Sequence, residues 1–265
     1  MGEARMTNFA GRPGSRRREE RSDKASYILQ RNDFGIRMAD TPRRFDRVEM
    51  LITRMYRQRG YKLDTLQRRA SSEGSQLRAV TLEACRDRKT VGTITVSLDR
   101  AEGLQAEELY PEEIKPFRSS DNKLCEFNRL ALDIEECGKE ALGHLFHLTF
   151  IFAYPIHRAT DLFIEVNPRH AGFYRRKLGF ELLGRERICR RVEAPAVLLH
   201  QKLSFLSDQI LRYGGLKIPE NKSFYSFFMP PWEERQLVEE IAGMLALTQL
   251  DSDAAKASAA TCVRT

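Results

Sequence analysis

Glu126 and Arg129 stand three residues apart in the largely apolar run from Leu124 to Leu132. Set between Leu124 and Phe127, Glu126 would lose part of its hydration. That raises a carboxyl pKa and suits the group to take a proton from a substrate. The other reading is a structural ion pair with Arg129, which would itself hold a substrate carboxylate or only a neighbouring acid. In a regular strand, residues three apart point to opposite faces. A β-bulge would bring the two closer and free N–H groups for a carbonyl oxygen, so a break in ladder pairing is expected between Phe127 and Leu130. A second group runs from Asn167 through His170, Phe173 and Tyr174 to Gly179-Phe180. Phe173 and Tyr174 follow His170 beside a strand end, where open α/β sheets bind ligands. His170 would relay protons or bind substrate, or else cap a helix or face solvent. Tyr174 lies next to Phe173, where it could pack in the core.

These residues need a framework, and the periodicity supplies one. A first strand is expected at about 26–31. Thr41-Pro42 opens a helix whose Phe45, Val48, Leu51, Ile52 and Met55 share one face, with Gly60 as its stop. Serines and Gly74 mark a loop at 71–75. Alternation predicts strands at 77–85 and 91–98 joined by a hairpin, then at 124–132, 161–166, 180–191 and 196–203. Residues 138–158 form a long apolar helix, and Pro168 opens a short helix that ends at Gly179, where a left-handed exit is permitted. Residues 100–120 are irregular with one short helical piece. Residues 206–250 read as helices around an aromatic loop, Phe224–Trp232, expected to pack on the sheet edge or help close the site. The tails 1–24 and 251–265 carry little to bury. The order of elements predicts a mixed α/β sheet with helices on both faces, spanning 25–205, and a helical C-terminal extension.

Composition narrows the function classes. The chain has 265 residues, 42% hydrophobic and 31% charged, enough to bury a core without disulfides or metal. The longest apolar stretch, near Phe150–Tyr154, is too short to span a membrane, and no apolar region follows the arginine-rich N-terminus. The expected compartment is the cytoplasm. Five scattered cysteines without a CxxC pair read as reduced, structural thiols. His144 and His147 lack a third ligand of suitable type, so no metal is expected. The net charge of +7 favours acidic partners. It concentrates at 41–70, with nine Lys/Arg against three Asp/Glu, and at 169–191, with eight against two. A nucleic-acid binder would interleave stacking aromatics with such residues, and Tyr56, Tyr61 and Tyr174 are too few.

The block from Asn167 to Phe180 resembles the final strand–helix–strand of the GNAT acyltransferase superfamily, with its strand-end Asn, Phe-Tyr pair and Leu-Gly-Phe turn. Cys125-Glu126-Phe127-Asn128-Arg129-Leu130-Ala131 resembles the acyl-homoserine-lactone synthases, a GNAT-fold branch that uses acyl-carrier-protein thioesters. Together with Cys189–Leu199, these segments are most similar to the N-acyl amino acid synthases, a group related to the lactone synthases and including exosortase-associated acyltransferases. The resemblance covers roughly residues 25–205.

It implies a GNAT-like acyltransferase fold with a splay at the strand carrying Glu126. The implied activity is transfer of a long acyl chain from acyl carrier protein to the amine of an amino acid or similar small molecule. The co-substrate would be an acyl-phosphopantetheine thioester, on carrier protein or coenzyme A, with no bound cofactor. Glu126 would be the base and Tyr174 the donor to the departing thiolate. Asn128, Arg129, Asn167, His170 and Phe173 would bind substrate. The alternatives are a coenzyme A-dependent N-acetyltransferase and a basic binding module without catalysis. Two departures bear on the choice. Where most GNAT enzymes cradle pyrophosphate, Asp133–Glu140 keeps one glycine and carries four carboxylates, which compete for the same donors. A pantetheine arm on a carrier protein, with one phosphodiester, tolerates that loop better. The lactone synthases also carry an arginine–aromatic–tryptophan set near the N-terminus, whereas the only tryptophan here is Trp232.

Overall fold

The computed structural model describes residues 27–62, 79–119, 121–217 and 223–262. Eight strands form one sheet: β1 (Leu29–Gln30), β2 (Gly35–Met38), β3 (Ala79–Arg86), β4 (Lys89–Leu98), β5 (Leu124–Leu132), β6 (Asp161–Val166), β7 (Glu181–Cys189) and β8 (Ala194–Lys202). Their spatial order is β1-β2-β3-β4-β5-β6-β8-β7. Every neighbouring pair is antiparallel except β5 and β6. The longer helices among the described residues are α1 (Pro42–Gln58), α2 (Lys139–Ile151), α3 (Pro168–Leu178), α4 (Leu203–Tyr213) and α5 (Pro231–Cys262). This is the mixed α/β sheet expected from the pattern.

Helices cover both faces. Val48, Leu51, Ile52 and Met55 of α1 pack with Ala39 and Ala131 in one cluster. On the other face α2 packs Leu145, Leu148 and Phe150 against Ile94, Val96 and Phe127. Burying each such side chain contributes about 1.5–3 kcal/mol, which explains why two helices with quite different polar faces both dock. Proline marks one boundary. Pro155 has no N–H, so α2 widens into a π-turn at Phe152–Ile156, closed by His157 N–H donating to the Phe152 carbonyl at 3.2 Å. Glycine marks another: Gly179 leaves α3 at φ 79°, as its position predicts.

The chain departs from the expected pattern at its ends. The first strand shrinks to Leu29–Gln30 and turns back into β2, a short strand the alternation did not reveal. The first tail and the serine-rich loop lie outside the described residues. Helix α5 runs from Pro231 through Cys262, past position 251, the expected start of the second tail. Between α4 and α5 the aromatic segment folds as a 3-10 turn, Phe224–Phe227. It packs against α2 so tightly that a Cβ on Gly143 would run into the Phe227 carbonyl oxygen. The Tyr225 hydroxyl donates to the Leu178 carbonyl at 2.7 Å, tying the extension to the end of α3.

Candidate active site

β5 does not run as one regular strand. It pairs with β6 only from Leu124 to Glu126. On its other edge the β4 register slips between the pairs Asn128–Thr95 and Ala131–Thr93. Arg129, inside the slip, has a φ of 56°, a left-handed conformation seldom adopted by a non-glycine residue. This is the expected interruption between Phe127 and Leu130, and it changes the phase of the strand. Before it, odd residues Cys125 and Phe127 face the α2 core; after it, even residues Leu130 and Leu132 do. Ala131 now faces α1. Beyond Glu126, β5 and β6 separate and a cleft opens between them.

The bulge puts Glu126 and Arg129 on the same face without joining them. Arg129 pairs with Glu49 of α1. Glu126 is buried and accepts hydrogen bonds from Gln105 N–H at 3.1 Å, Ala106 N–H at 3.0 Å and Asn128 Nδ2 at 3.1 Å. Burial, the largest influence, raises its carboxyl above the ordinary value, and these donors lower it only in part. Glu126 is not among the residues lining the cleft. Its geometry therefore does not support the base role read from the sequence. The carboxylate anchors the 3-10 turn Gln105–Glu108 beneath the sheet, satisfying N–H groups that a helix start leaves free. It also orients Asn128, because an acceptor-only carboxylate must meet the amide through its NH₂.

The cleft encloses about 320 Å³, and its lining falls into two chemical sets. One is apolar, built from Ile94, Phe127, Leu130, Leu132, Leu142 and Phe146. The other is polar, with Asn128, Arg129, Glu165, Asn167 and His170. Tyr56, Arg59 and Tyr61, at the C-terminal end of α1 and just beyond it, also line the cleft. Sequence reasoning missed these three. They lie far from the β5 and α3 motifs in the chain, and the only signal was the basic excess of residues 41–70.

The other expected site residues gather here in different roles. Asn167 caps α3: its Oδ1 accepts from Arg169 N–H at 3.3 Å and its Nδ2 donates to the Pro195 carbonyl at 3.1 Å. His170 is exposed at the mouth of the cleft. Partial burial, followed by the charges of Arg169 and Arg59, holds its imidazole below the usual pKa. Phe173 and Tyr174 both line the cleft, with ring centroids 5.4 Å apart. Burial pushes the Tyr174 phenol well above its ordinary value, so it stays protonated and keeps its O–H as a donor. Its hydroxyl has no hydrogen-bond partner among the described residues. Phe224 of the extension stacks edge-on against Phe173 at 5.1 Å, bracing the wall of the site.

The acidic loop is partly neutralised. Arg54 bonds Asp133 at 2.7 Å, and Lys89 reaches both Asp133 and Glu136. The two helix histidines have structural partners. His147 accepts from Met229 N–H at 3.0 Å and lies 3.1 Å from Glu234, while His144 meets Arg31 and the Glu140 carbonyl. The described cysteines, Cys85, Cys125, Cys137 and Cys189, are buried free thiols. Among the described residues no helix is long and apolar enough to cross a membrane.

The chain is similar to several known proteins. A family model described as N-acyl amino acid synthase FeeM matches residues 47–202. The solved structure of FeeM, an N-acyl amino acid synthase from uncultured soil microbes, is 26% identical with a TM-score of 0.59, covering 66% of this chain and 93% of that one. The AHL synthase LasI is similar at 12% identity and a TM-score of 0.46, covering 64% of this chain and 90% of that chain. NAA60 from Arabidopsis thaliana, solved in complex with acetyl-CoA, is similar at 12% identity and a TM-score of 0.47, covering 64% and 99%. No curated protein matches the chain.

Proposed function

The chain belongs to the FeeM family of N-acyl amino acid synthases, and on that footing we propose that it moves a long acyl chain from a carrier-protein-bound pantetheine thioester to the α-amine of an amino acid. One observation carries this reading: a single cleft, at the point where β5 and β6 part, is lined by a set of apolar side chains and by a set of polar and charged ones. An acyl chain fits the first and a polar acceptor the second, with the thioester between them.

The chemistry follows from the lining. The amine nitrogen attacks the thioester carbonyl carbon, the C–N bond forms, the C–S bond breaks, and the sulfur leaves as thiol. An amino acid is mostly ammonium at neutral pH, so one proton must go first. His170, kept neutral by its surroundings, is the cleft group suited to take it, directly or through water. Backbone N–H groups of β5 beyond Glu126, released from the β6 ladder, face the acyl oxygen as charge develops. The Tyr174 hydroxyl passes its proton to the departing sulfur and regains one from the nitrogen of the tetrahedral adduct, so the amide keeps a single N–H and the thiol leaves neutral. Phe173 walls the acyl chain, Asn128 binds along the arm, Asn167 sets the start of α3, and Arg129 ties the bulged strand to α1.

A carrier protein is favoured over free coenzyme A by the carboxylates of residues 133–140 at the start of α2. The exposed cations Arg175, Arg176 and Lys177 at the end of α3 offer an acidic carrier protein a docking face. The test is direct: incubate the protein with an acyl-carrier thioester or the matching acyl-coenzyme A and a mixture of amino acids. Product is read by mass spectrometry and free thiol by colour. The reading requires N-acyl amino acid, a carrier-thioester rate above the coenzyme A rate, and a carrier KM that rises with salt. Acetylation from acetyl-coenzyme A with no long-chain product would overturn it.

A further inference from the structure

Charge bookkeeping in the cleft singles out one residue. Its lining carries three side chains with a permanent charge: Arg59, Arg129 and Glu165. Arg129 is matched by Glu49. Glu165 is matched by Arg191 at 2.9 Å. Arg59 has no such match among the described residues. Its Nη1 donates only to the Met55 carbonyl, one turn back in its own helix, at 3.3 Å. It is half-buried, at the C-cap of α1, and its charge reaches the ring of His170. A planar, permanently charged fork left without a carboxylate in a cleft is suited to bidentate capture of one.

We propose that Arg59 binds the carboxylate of the acceptor and so makes the enzyme select amines that carry an acid group. This rests on the reading of the cleft as an acyltransferase site. The product supports it: an N-acyl amino acid is one anion on an apolar tail, and the cleft is one uncompensated cation beside an apolar chamber. A pantetheine phosphodiester is the rival anion. It lies a long arm away from the sulfur, towards solvent, whereas Arg59 shares the chamber with Asn128 and Tyr56.

The experiment compares wild type, Arg59→Gln and Arg59→Lys with two matched acceptors, phenylalanine and phenethylamine, which differ by the carboxylate alone. Losing one charge-assisted pair should raise the KM for phenylalanine about tenfold to a hundredfold in Arg59→Gln. Arg59→Lys should recover part of that loss. The ratio of kcat/KM between the two acceptors should collapse, while the KM for the acyl donor stays put. Equal losses with both acceptors, or a rise confined to the donor KM, overturn the inference, the second outcome assigning Arg59 to the phosphodiester. Calorimetry with N-lauroyl-phenylalanine and N-lauroyl-phenethylamine, which needs no turnover, separates the two claims. Preferred binding of the acid form, lost in Arg59→Gln, sustains the inference even if no transfer is seen. Equal binding overturns it even if transfer is fast.

Discussion

Replacing Glu126 by Gln separates a base from an anchor. The substitution keeps shape and volume and removes the charge. In the structure three N–H donors converge on the carboxylate: Gln105 and Asn128 on Oε1, Ala106 on Oε2. A glutamine amide has one oxygen, so its NH₂ must face at least one of those donors. Losing one charge-assisted hydrogen bond costs about 2 kcal/mol, which lowers Tm by about 4–8 °C in a chain of this size. The sign with pH follows from the carboxyl. Its folded pKa is raised, chiefly by burial. An acid raised on folding contributes stability that is fully present below its unfolded value, about 4.3, and is lost as pH rises through the folded value. The gap in Tm between wild type and Glu126→Gln should therefore widen as pH is lowered into that window. Activity, assayed well below Tm, should keep kcat within about threefold, whereas removal of a general base costs about 10²–10⁴-fold. Calorimetry and steady-state kinetics on one preparation decide it. A variant with unchanged Tm and a kcat down a hundredfold or more would refute the anchor and restore Glu126 as the base.

The remaining predictions touch the cleft and its brace. Tyr174→Phe keeps the ring packing with Phe146 and Phe180 but deletes the proposed donor to sulfur; kcat should fall about tenfold or more with Tm nearly unchanged, since the hydroxyl has no hydrogen-bond partner among the described residues. Because the His170 imidazole titrates below its usual value, the acid limb of kcat/KM should lie under about pH 6.5, falling as the ring protonates, and His170→Gln should flatten it. Gly143→Ala drives a methyl into the Phe227 carbonyl, so it should cost about 1–3 kcal/mol and loosen the extension, read as a lower Tm and faster proteolysis after Tyr213.

Much of the frame was legible because its elements are locally consistent. The bounds of β5 and β6 match the alternation, and those of α3 match its proline start and glycine stop. The β3–β4 hairpin was readable from its length, although its turn places Asp87 and Arg88 at positive φ without glycine. β2 escaped notice because four residues, buried at Gly35, Ile36 and Arg37, carry no alternation. Arg37 is tolerated inside because its cross-strand neighbour is Glu83, 2.7 Å away, a partner visible only once register is known. Helix 231–262 continued past 251 because its small and polar residues still satisfy backbone hydrogen bonds, which a count of apolar residues does not register.

The site was harder to read for a specific physical reason. Spacing along β5 foresaw the bulge, and the bulge does swing Arg129 onto the face of Glu126. Spacing cannot say which neighbour arrives first. Two backbone N–H groups from residues 105 and 106 bond the glutamate, and Glu49 of α1 pairs with the Arg129 guanidinium, so the two residues that looked like one unit face different partners. The groups we propose for the chemistry are the Tyr174 hydroxyl, the His170 ring, whose Nε2 accepts from Arg169 Nε at 3.3 Å, and the Arg59 fork. In the sequence these three belong to no common motif, since α1 and α3 meet only across the cleft. A residue type next to a strand bulge thus indicates where a site will form; which side chains act in it depends on which charges the fold leaves unmatched.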